Sequence, residues 1–218
     1  MSLQDLMLGA EVWRAGAASD FARGLPSGFP QLDALLPGNG WPSGMLTEIL
    51  IPCLGIGELQ LLLPALARLS HGRRWIAFIA PPHVLYAPAL AAAQVDLSRV
   101  LLVHPRATAD GLWAVEQSLR AGTCGAVLAW PAATDTRALR RLQLAAEAGR
   151  SWGVLFRSGQ PAATEGSPAA LRLQLVPTPG GVDVYILKRR GGWPVGPVTL
   201  DLGLDHAMAM PASAGSCA

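Results

Sequence analysis

The sequence of 218 residues has a single lysine, Lys188, so arginine supplies almost all of its positive charge. The formal net charge of +2 is too small to indicate a nucleic-acid partner by itself. A long uninterrupted apolar run is also missing, because prolines and a histidine divide the longest apolar region, residues 75–95. The N-terminus lacks the basic start and apolar core of a signal peptide. We therefore expect a soluble, cytoplasmic protein without a membrane segment.

Cysteine is scarce as well, since Cys53, Cys124 and Cys217 form an odd and widely scattered set. Their positions lack the short spacings of metal ligands. We therefore expect buried or incidental thiols in a reducing compartment, with no metal site and no cofactor.

The hydrophobic content of 51% is sufficient to bury the core of one α/β domain, which we expect over residues 25–204. Residues 205–218 are rich in alanine, methionine, proline and serine and are predicted to be a flexible tail. Residues 1–24 are predicted to form a short amphipathic helix and a glycine-containing connector. The apolar face of that helix consists of Leu3, Leu6, Met7, Ala10 and Trp13. Docking on a partner and covering the protein's own core are both compatible with this pattern.

The periodicity of the remaining chain predicts alternating strands and helices. We expect buried parallel strands at residues 75–80, 100–103, 126–130 and 153–157. Helices are predicted at residues 86–93 and 110–120, and from a cap at Asp135 or Thr136 to about residue 148. Residues 171–176 and 182–187 alternate, which predicts an antiparallel hairpin with one solvated face.

The stretch from Trp41 to Leu63 has the order of a phosphate-binding loop: an apolar strand (45–51), a glycine-containing loop (52–57) and a helix from Glu58. Such loops need a lysine for the β- and γ-phosphates and a hydroxyl for Mg²⁺. The lysine position here is Gly57 or Glu58, and the hydroxyl position is Glu58 or Leu59. A carboxylate would therefore face the phosphates, and two like charges about 4 Å apart repel by about 4 kcal/mol at an effective dielectric constant of about 20. The stretch predicts a nucleotide-binding fold that no longer binds a nucleotide.

The residues from Leu25 onward resemble the core of RecA-type recombinases. Before their phosphate loop, those proteins have a serine or threonine followed by glycine, then leucine-aspartate, a pair of glycines, proline-x-glycine and a glutamate. The matching positions are Ser27, Gly28, Leu32, Asp33, Gly38, Gly40, Pro42, Gly44 and Glu48. The resemblance implies a RecA-like α/β core over about residues 25–202. This core would be a mainly parallel sheet flanked by helices on both faces, with an antiparallel C-terminal edge.

By the same resemblance, two more strand ends have lost their catalytic groups. The position of the water-activating glutamate is Pro82, and the position of the metal-binding aspartate is Trp130. A proline can neither accept a proton nor orient a water molecule. The degenerate nucleotide site would consist of Gly55, Gly57, Glu58, Leu59, Pro82 and Trp130. We therefore predict a pseudo-ATPase without enzymatic activity.

Three further motifs look like those of ImuA proteins, a SulA-related family that accompanies mutagenic translesion synthesis in bacteria. They are Gly-Ile-Gly-Glu-Leu at 55–59, Pro-Pro-His at 81–83 and Leu-Lys-Arg-Arg-Gly-Gly at 187–192. The resemblance implies a non-catalytic accessory protein of SOS-induced translesion DNA synthesis. Its implied partners are an ImuB-like Y-family polymerase homologue, an error-prone C-family polymerase and RecA, and self-association is compatible with it.

Three surfaces are candidates for such contacts. RecA-type subunits have a basic pair after the equivalent strand, and the resemblance implies that the pair here is Lys188 and Arg190, in a segment that also contains Arg189. With no nucleotide to bind, this segment is predicted to contact a partner, as are Leu6 and Trp13 of the N-terminal helix. A basic helix face is either solvated or in contact with nucleic acid or an acidic partner, and it consists of Arg137, Arg140 and Arg141. Residues 158–168 lack basic and aromatic side chains, so we expect DNA binding to be weak or indirect.

Two other functions remain open. One is a SulA-type inhibitor of cell division that binds FtsZ, because that family also has a RecA-like core. The other is a DNA-stimulated ATPase or recombinase, which the missing catalytic groups disfavour.

Overall fold

Eight β-strands form one mixed sheet in the computed structural model, which describes residues 23–131, 133–158 and 166–203. The strands are β1 (Leu46–Ile51), β2 (Trp75–Ile79), β3 (Val100–Val103), β4 (Cys124–Ala129), β5 (Trp152–Ser158), β6 (Leu171–Thr178), β7 (Gly181–Arg189) and β8 (Val195–Asp201). Their order across the sheet is β3-β2-β4-β5-β1-β6-β7-β8. Neighbours from β3 to β6 are parallel, whereas β6, β7 and β8 pair antiparallel.

The described part of the chain contains five α-helices and a 3₁₀ turn (Leu97–Arg99) before β3. The helices are α1 (Pro30–Asp33), α2 (Leu63–His71), α3 (Ala87–Ala92), α4 (Thr108–Arg120) and α5 (Thr136–Gly149). The predicted cap of α5 is confirmed, because the Asp135 carboxylate accepts a hydrogen bond of 2.6 Å from the Ala138 amide.

Strand β1 lies near the centre of the sheet, and all six of its residues are buried. It pairs in parallel with β5 on one edge and with β6 on the other, where Thr47 lies opposite Leu171. A continuous apolar run is typical of a parallel strand that is covered on both faces. The strand predicted at residues 45–51 is thus confirmed, and its C-terminal end leads into the glycine-containing loop.

Two apolar layers cover the sheet. On one face, α4 and α5 pack through Val115, Leu119, Leu139 and Leu142. On the other face, the layer comes mainly from short helices and irregular segments, including Leu32, Leu36, Trp41, Ile56, Leu61, Leu62, Leu66 and Leu90. The stacked rings of Trp41 and Trp152, with centroids 5.2 Å apart, fix the segment before β1 against β5.

The prediction of a RecA-like core, a mainly parallel sheet with an antiparallel C-terminal edge and helices on both faces, is wrong. Three of the eight strands pair antiparallel, and only α4 and α5 are longer than nine residues, both on the same face. On that face the antiparallel part is incompletely covered, since Gln174 and Asp183 are partly exposed and Val176 is exposed. The chain is α/β, but with few helices, because most of the second layer is built from turns.

Strand β3 was predicted to be buried, and this prediction is also wrong. It forms an edge of the sheet, with β2 as its strand neighbour, and Leu101 and Leu102 are 44% and 41% exposed. An apolar run of four residues cannot distinguish an inner strand from an edge strand, because both are compatible with parallel pairing.

The hairpin of β6 and β7 is antiparallel, as predicted, with Leu175 opposite Val184. Its outer face is not uniformly solvated, however. Arg172 is buried, because the parallel pairing of β6 with β1 sets it directly beside Glu48.

Glu48 is a fully buried carboxylate between two arginines from the neighbouring strands. Nη1 of Arg157 donates a hydrogen bond of 2.9 Å to its Oε1 atom. Nε of Arg172 lies 3.0 Å from Oε2 as an ion pair without hydrogen-bond geometry. The cluster joins β5, β1 and β6, and it therefore connects the parallel strands to the antiparallel hairpin.

Residues 1–22 and 204–218 lie outside the described residues. The division into an N-terminal helix and connector (1–24), a domain (25–204) and a C-terminal tail (205–218) therefore stays a prediction. Within the described ranges, none of the helices has the length and apolar character needed to cross a membrane.

Replacing Glu48 with glutamine should destabilise the protein by about 3–5 kcal/mol, because the buried Arg172 and the partly buried Arg157 would lose their counter-charge. The free energy of unfolding from urea denaturation measures this change. The matched control is Glu147→Gln on the exposed side of α5, which should change stability by less than about 0.5 kcal/mol. Equal stability of the two variants would show that the buried ion pairs do not hold the central strands together.

Candidate functional site

The candidate site is the loop after β1, at the edge of the sheet where the parallel strands end. Gly55 and Gly57 in this loop have φ angles of +83° and +98°, a region that glycine adopts without a steric penalty. Ile56 between them is buried in the apolar layer that includes Leu61 and Leu62. The side chain of Ile56 therefore anchors the loop to this apolar layer.

The carboxylate of Glu58 folds back onto this loop. The Gly55 amide donates to both of its oxygens, each at 3.1 Å, and the Glu58 side chain is buried. In a phosphate-binding loop, amides of this kind point at the phosphate oxygens. Here the anion next to the loop amide belongs to the protein itself, so an incoming phosphate would meet a buried negative charge.

Helix α2 begins at Leu63 and not at Glu58 as predicted. Residues 58–62 form turns, in which the Leu61 amide bonds to the Gly57 carbonyl at 3.1 Å. Pro64 stands in the first turn of α2, and its ring would clash with the Gln60 carbonyl if a regular helix continued backward. The N-terminus of α2 is thus displaced from the loop by about one turn, and the amides of Leu63 and Ala65 bond to carbonyls of the preceding turns.

Trp130 follows β4 and lies within an aromatic stack. Its ring is 4.7 Å from that of Phe156 on β5 and 6.5 Å from that of Phe78 on β2, with interplanar angles of 17° and 15°. The indole Nε1 is buried without an acceptor among the described residues. Where a metal-binding aspartate would stand, the edge of the sheet is filled by three rings.

The remaining predicted members of the site lie apart from this stack. Pro82 is exposed in the loop after β2, and Leu59 is half-buried beside α2. The strands β1, β2 and β4 all end at this edge, but β4 and β5 separate β2 from β1. Among the described residues, no cluster of three or more metal-ligating side chains occurs.

The basic segment at the end of β7 has three different environments. The Lys188 ammonium donates to the Ser167 carbonyl at 2.5 Å, and Arg190 is exposed. Partial burial lowers the pKa of Lys188 below its usual range, and the nearby Arg172 adds to this, whereas Glu48 opposes it. Lys188 lies opposite Arg172 in the hairpin and is therefore next to the ion pairs of Glu48.

Arg189 has a structural role. Its guanidinium donates to the Leu35 carbonyl, and its Nε donates to the Trp193 carbonyl at 3.0 Å. These bonds hold the end of β7 against the segment after α1. Lys188 and Arg190 are therefore the members of the segment that face outward.

The three arginines of α5 differ in a similar way. Arg141 pairs with the buried Glu116 of α4, which also binds Arg120 at 2.9 Å. Arg137 and Arg140 are exposed, and none of the described carboxylates pairs with them. The free basic surface of α5 thus consists of two side chains and not three.

Sequence reasoning missed Arg157 and Arg172 as a buried ionic cluster. A signal was present, because Glu48 is the one charged residue of a central strand that is apolar except for Thr47. A buried carboxylate needs a paired cation. The signal does not reveal which of the chain's arginines lie beside it, since that depends on the register of β5 and β6.

Comparison with known proteins gives one family and two kinds of relative. A family model described as cell division inhibitor SulA matches residues 44–153. The cell division inhibitor SulA of Edwardsiella piscicida is 36% identical over 121 residues, which cover 53% of this chain and 68% of that protein. Protein ImuA of Caulobacter vibrioides is 29% identical over 177 residues, which cover 72% of this chain and 70% of that protein. The crystal structure of SulA from Pseudomonas aeruginosa is similar with a TM-score of 0.45 and 31% identity, covering 52% of this chain and 98% of that one.

Removing the Glu58 carboxylate should leave the loop amide unpaired. Glu58→Ala is expected to lower the free energy of unfolding by about 1.5–3 kcal/mol, as found for hydrogen bonds to charged groups. Glu58→Gln retains one acceptor oxygen and should lose less than half of that. Chemical denaturation of the three proteins gives the values, and an alanine variant as stable as the parent would show that this contact does not hold the loop closed.

Proposed function

Because this chain belongs to the SulA family, we propose that it is a non-catalytic accessory protein of the response to DNA damage that acts through protein–protein contacts. The observation behind the proposal is the bond of the Gly55 amide to the buried Glu58 carboxylate. A loop that binds its own carboxylate has no free amide at that position for a phosphate. We therefore expect the protein to act through contacts made by its surface side chains.

The absence of ATPase activity is part of this proposal. The aromatic stack around Trp130 supports it, because the rings fill the position of a metal-binding aspartate. The start of α2 at Leu63 also supports it, because the N-terminus of that helix is displaced from the loop where it would bind a phosphate. ATP hydrolysis uses a Mg²⁺ ion on the phosphates and an attacking water that a side chain positions. We therefore describe the protein as a pseudo-ATPase.

We further propose a role in SOS-induced translesion DNA synthesis, as for ImuA relatives. The similarity to ImuA covers 72% of this chain, against 53% for the SulA of Edwardsiella piscicida. The SulA family model ends at residue 153, before the hairpin of β6 and β7. That hairpin supplies Arg172, which pairs with the central strand, and Lys188. The proposed partners are an ImuB-like Y-family polymerase homologue, an error-prone C-family polymerase and RecA, in the cytoplasm.

A cell-division inhibitor that binds FtsZ is the second candidate. The SulA family match and the 36% identity to a SulA protein support it. The two candidates differ in the partner that they bind, so a binding experiment separates them.

Lys188 and Arg190 are proposed as a partner-binding pair, because both face outward at one end of β7 while Arg189 fixes that end internally. Arg137 and Arg140 are proposed as contacts for an acidic partner or, weakly, for DNA. Two neutralised phosphates give a low affinity and a shallow salt dependence, with a slope of about −1.4 to −1.8. Direct DNA binding would therefore be weak.

The double variant Lys188→Glu, Arg190→Glu should bind the ImuB-like partner more than tenfold more weakly than the parent, as expected for a hot spot of about 2 kcal/mol. Biolayer interferometry against purified ImuB-like protein, RecA and FtsZ gives the dissociation constants. The matched control is Arg68→Glu, Arg106→Glu, which reverses two exposed charges elsewhere and should bind like the parent. Binding to FtsZ alone would contradict the translesion role and favour the division inhibitor.

A further inference from the structure

The surface after β2 is apolar and exposed. Val84 and Tyr86 are 90% and 72% exposed, and α3 contains only alanine, leucine and proline. Leu90 is the one buried residue of that helix. A helix that faces solvent usually has polar side chains on its outer side. An exposed apolar patch of this kind marks a surface that another element covers.

A groove runs along this patch. It is a cavity of about 110 Å³ between Leu59 and Leu63 on one side and Leu85, Ala89 and Leu90 on the other. Its remaining lining comes from Tyr86 and the uncharged side chain of Gln60. No charged residue occurs between Trp75 and Val95. The groove therefore fits an apolar side-chain row and offers no ion pair to a charged ligand.

The chain itself contains a segment with such a row. Residues 3–14 have the period of an amphipathic helix, with Leu6 and Trp13 on its apolar face. Amphipathic helices bind hydrophobic grooves through residues at spacings of three, four and seven. Leu6 and Trp13 are seven residues apart and thus lie two turns apart on the same face.

The distance between this segment and the groove is short enough. A side chain at Gly28 would lie 2.6 Å from the Pro64 ring, so the backbone at Gly28 is in contact with the first turn of α2, beside the groove residue Leu63. Arg23 is five residues before Gly28, at most about 18 Å away. The connector of residues 15–22 spans up to about 26–29 Å when extended. It can therefore reach from Arg23 back to the groove.

We propose that residues 3–14 of this same chain dock as a helix in the groove between α2 and α3, with Leu6 and Trp13 against Leu59, Leu63 and Ala89. A tethered segment has an effective concentration in the millimolar range, which a separate partner at cellular concentration does not reach. For the same apolar contacts, residues 3–14 of this chain are thus favoured over a second molecule. By this proposal, Leu6 and Trp13 are covered in the free protein, which corresponds to the alternative of an N-terminal helix that covers its own core.

Hydrogen–deuterium exchange of the full chain tests this docking. In the parent, amides of residues 84–92 should exchange at least tenfold more slowly than in the double variant Leu6→Glu, Trp13→Glu. The matched control introduces two glutamates on the opposite side of the predicted helix, Gln4→Glu and Val12→Glu, and should exchange like the parent. Amides of β4 serve as the internal reference, because they lie in the sheet core and should not change.

A second variant tests the same contact from the groove side. Ala89→Glu places a charge in the groove wall, and amides of residues 3–14 should then exchange at least tenfold faster. Equal exchange of residues 84–92 in the parent and the Leu6→Glu, Trp13→Glu variant would overturn the proposal. Loss of this protection on dilution of the protein from about 100 to about 1 µM would also overturn the proposal. Binding of a second copy weakens on dilution, whereas binding of a tethered segment does not.

Discussion

The central part of the sheet depends on the charge of Glu48, a fully buried carboxylate on the middle strand. Arg157 on β5 and Arg172 on β6 reach it from either side, so one side chain connects the parallel strands to the hairpin. Buried ion pairs contribute little net stability compared with apolar residues, but they are costly to break. They also restrict the register, because a one-residue shift of β6 would move Arg172 to the opposite face of the sheet. The position of Lys188 beside this cluster follows from the same register.

A second carboxylate, Glu58, occupies the amide of the loop after β1. It accepts both of its bonds from the Gly55 amide, and the helix that follows starts only at Leu63. Together with the stack of Trp130, Phe78 and Phe156, this leaves the edge of the sheet filled by the protein's own groups. We propose that the molecule acts through three surfaces: the end of β7, the outer side of α5 and the groove beside α3.

Local patterns predicted most of the elements. The apolar run of β1 and the Asp135 cap of α5 depend on neighbouring residues only, and they were predicted correctly. The errors arose where the outcome depends on distant residues. Strand β3 is an edge strand because no further strand of the described chain joins it, and Arg172 is buried because β6 pairs with β1. Pro64 is the sequence signal for the start of α2 at Leu63, because its ring prevents a regular helix from extending backward to Gln60. The RecA-like core was the largest error, since the resemblance of short motifs does not specify how many helices cover a sheet. The family match assigns the chain to the SulA family, and the structure of this chain has a mixed sheet with few helices.

We propose that Glu58 closes the loop after β1 to nucleotides. The most direct measurement is isothermal titration of the purified protein with Mg-ATP, together with the melting temperature at millimolar Mg-ATP. We expect no heat of binding and no change in the melting temperature. A ligand present at 100 times its dissociation constant would stabilise the protein by about 2.7 kcal/mol and raise the melting temperature of a chain of this size by about 5 °C or more. A shift of that size would show that the protein binds the nucleotide although Glu58 occupies the loop.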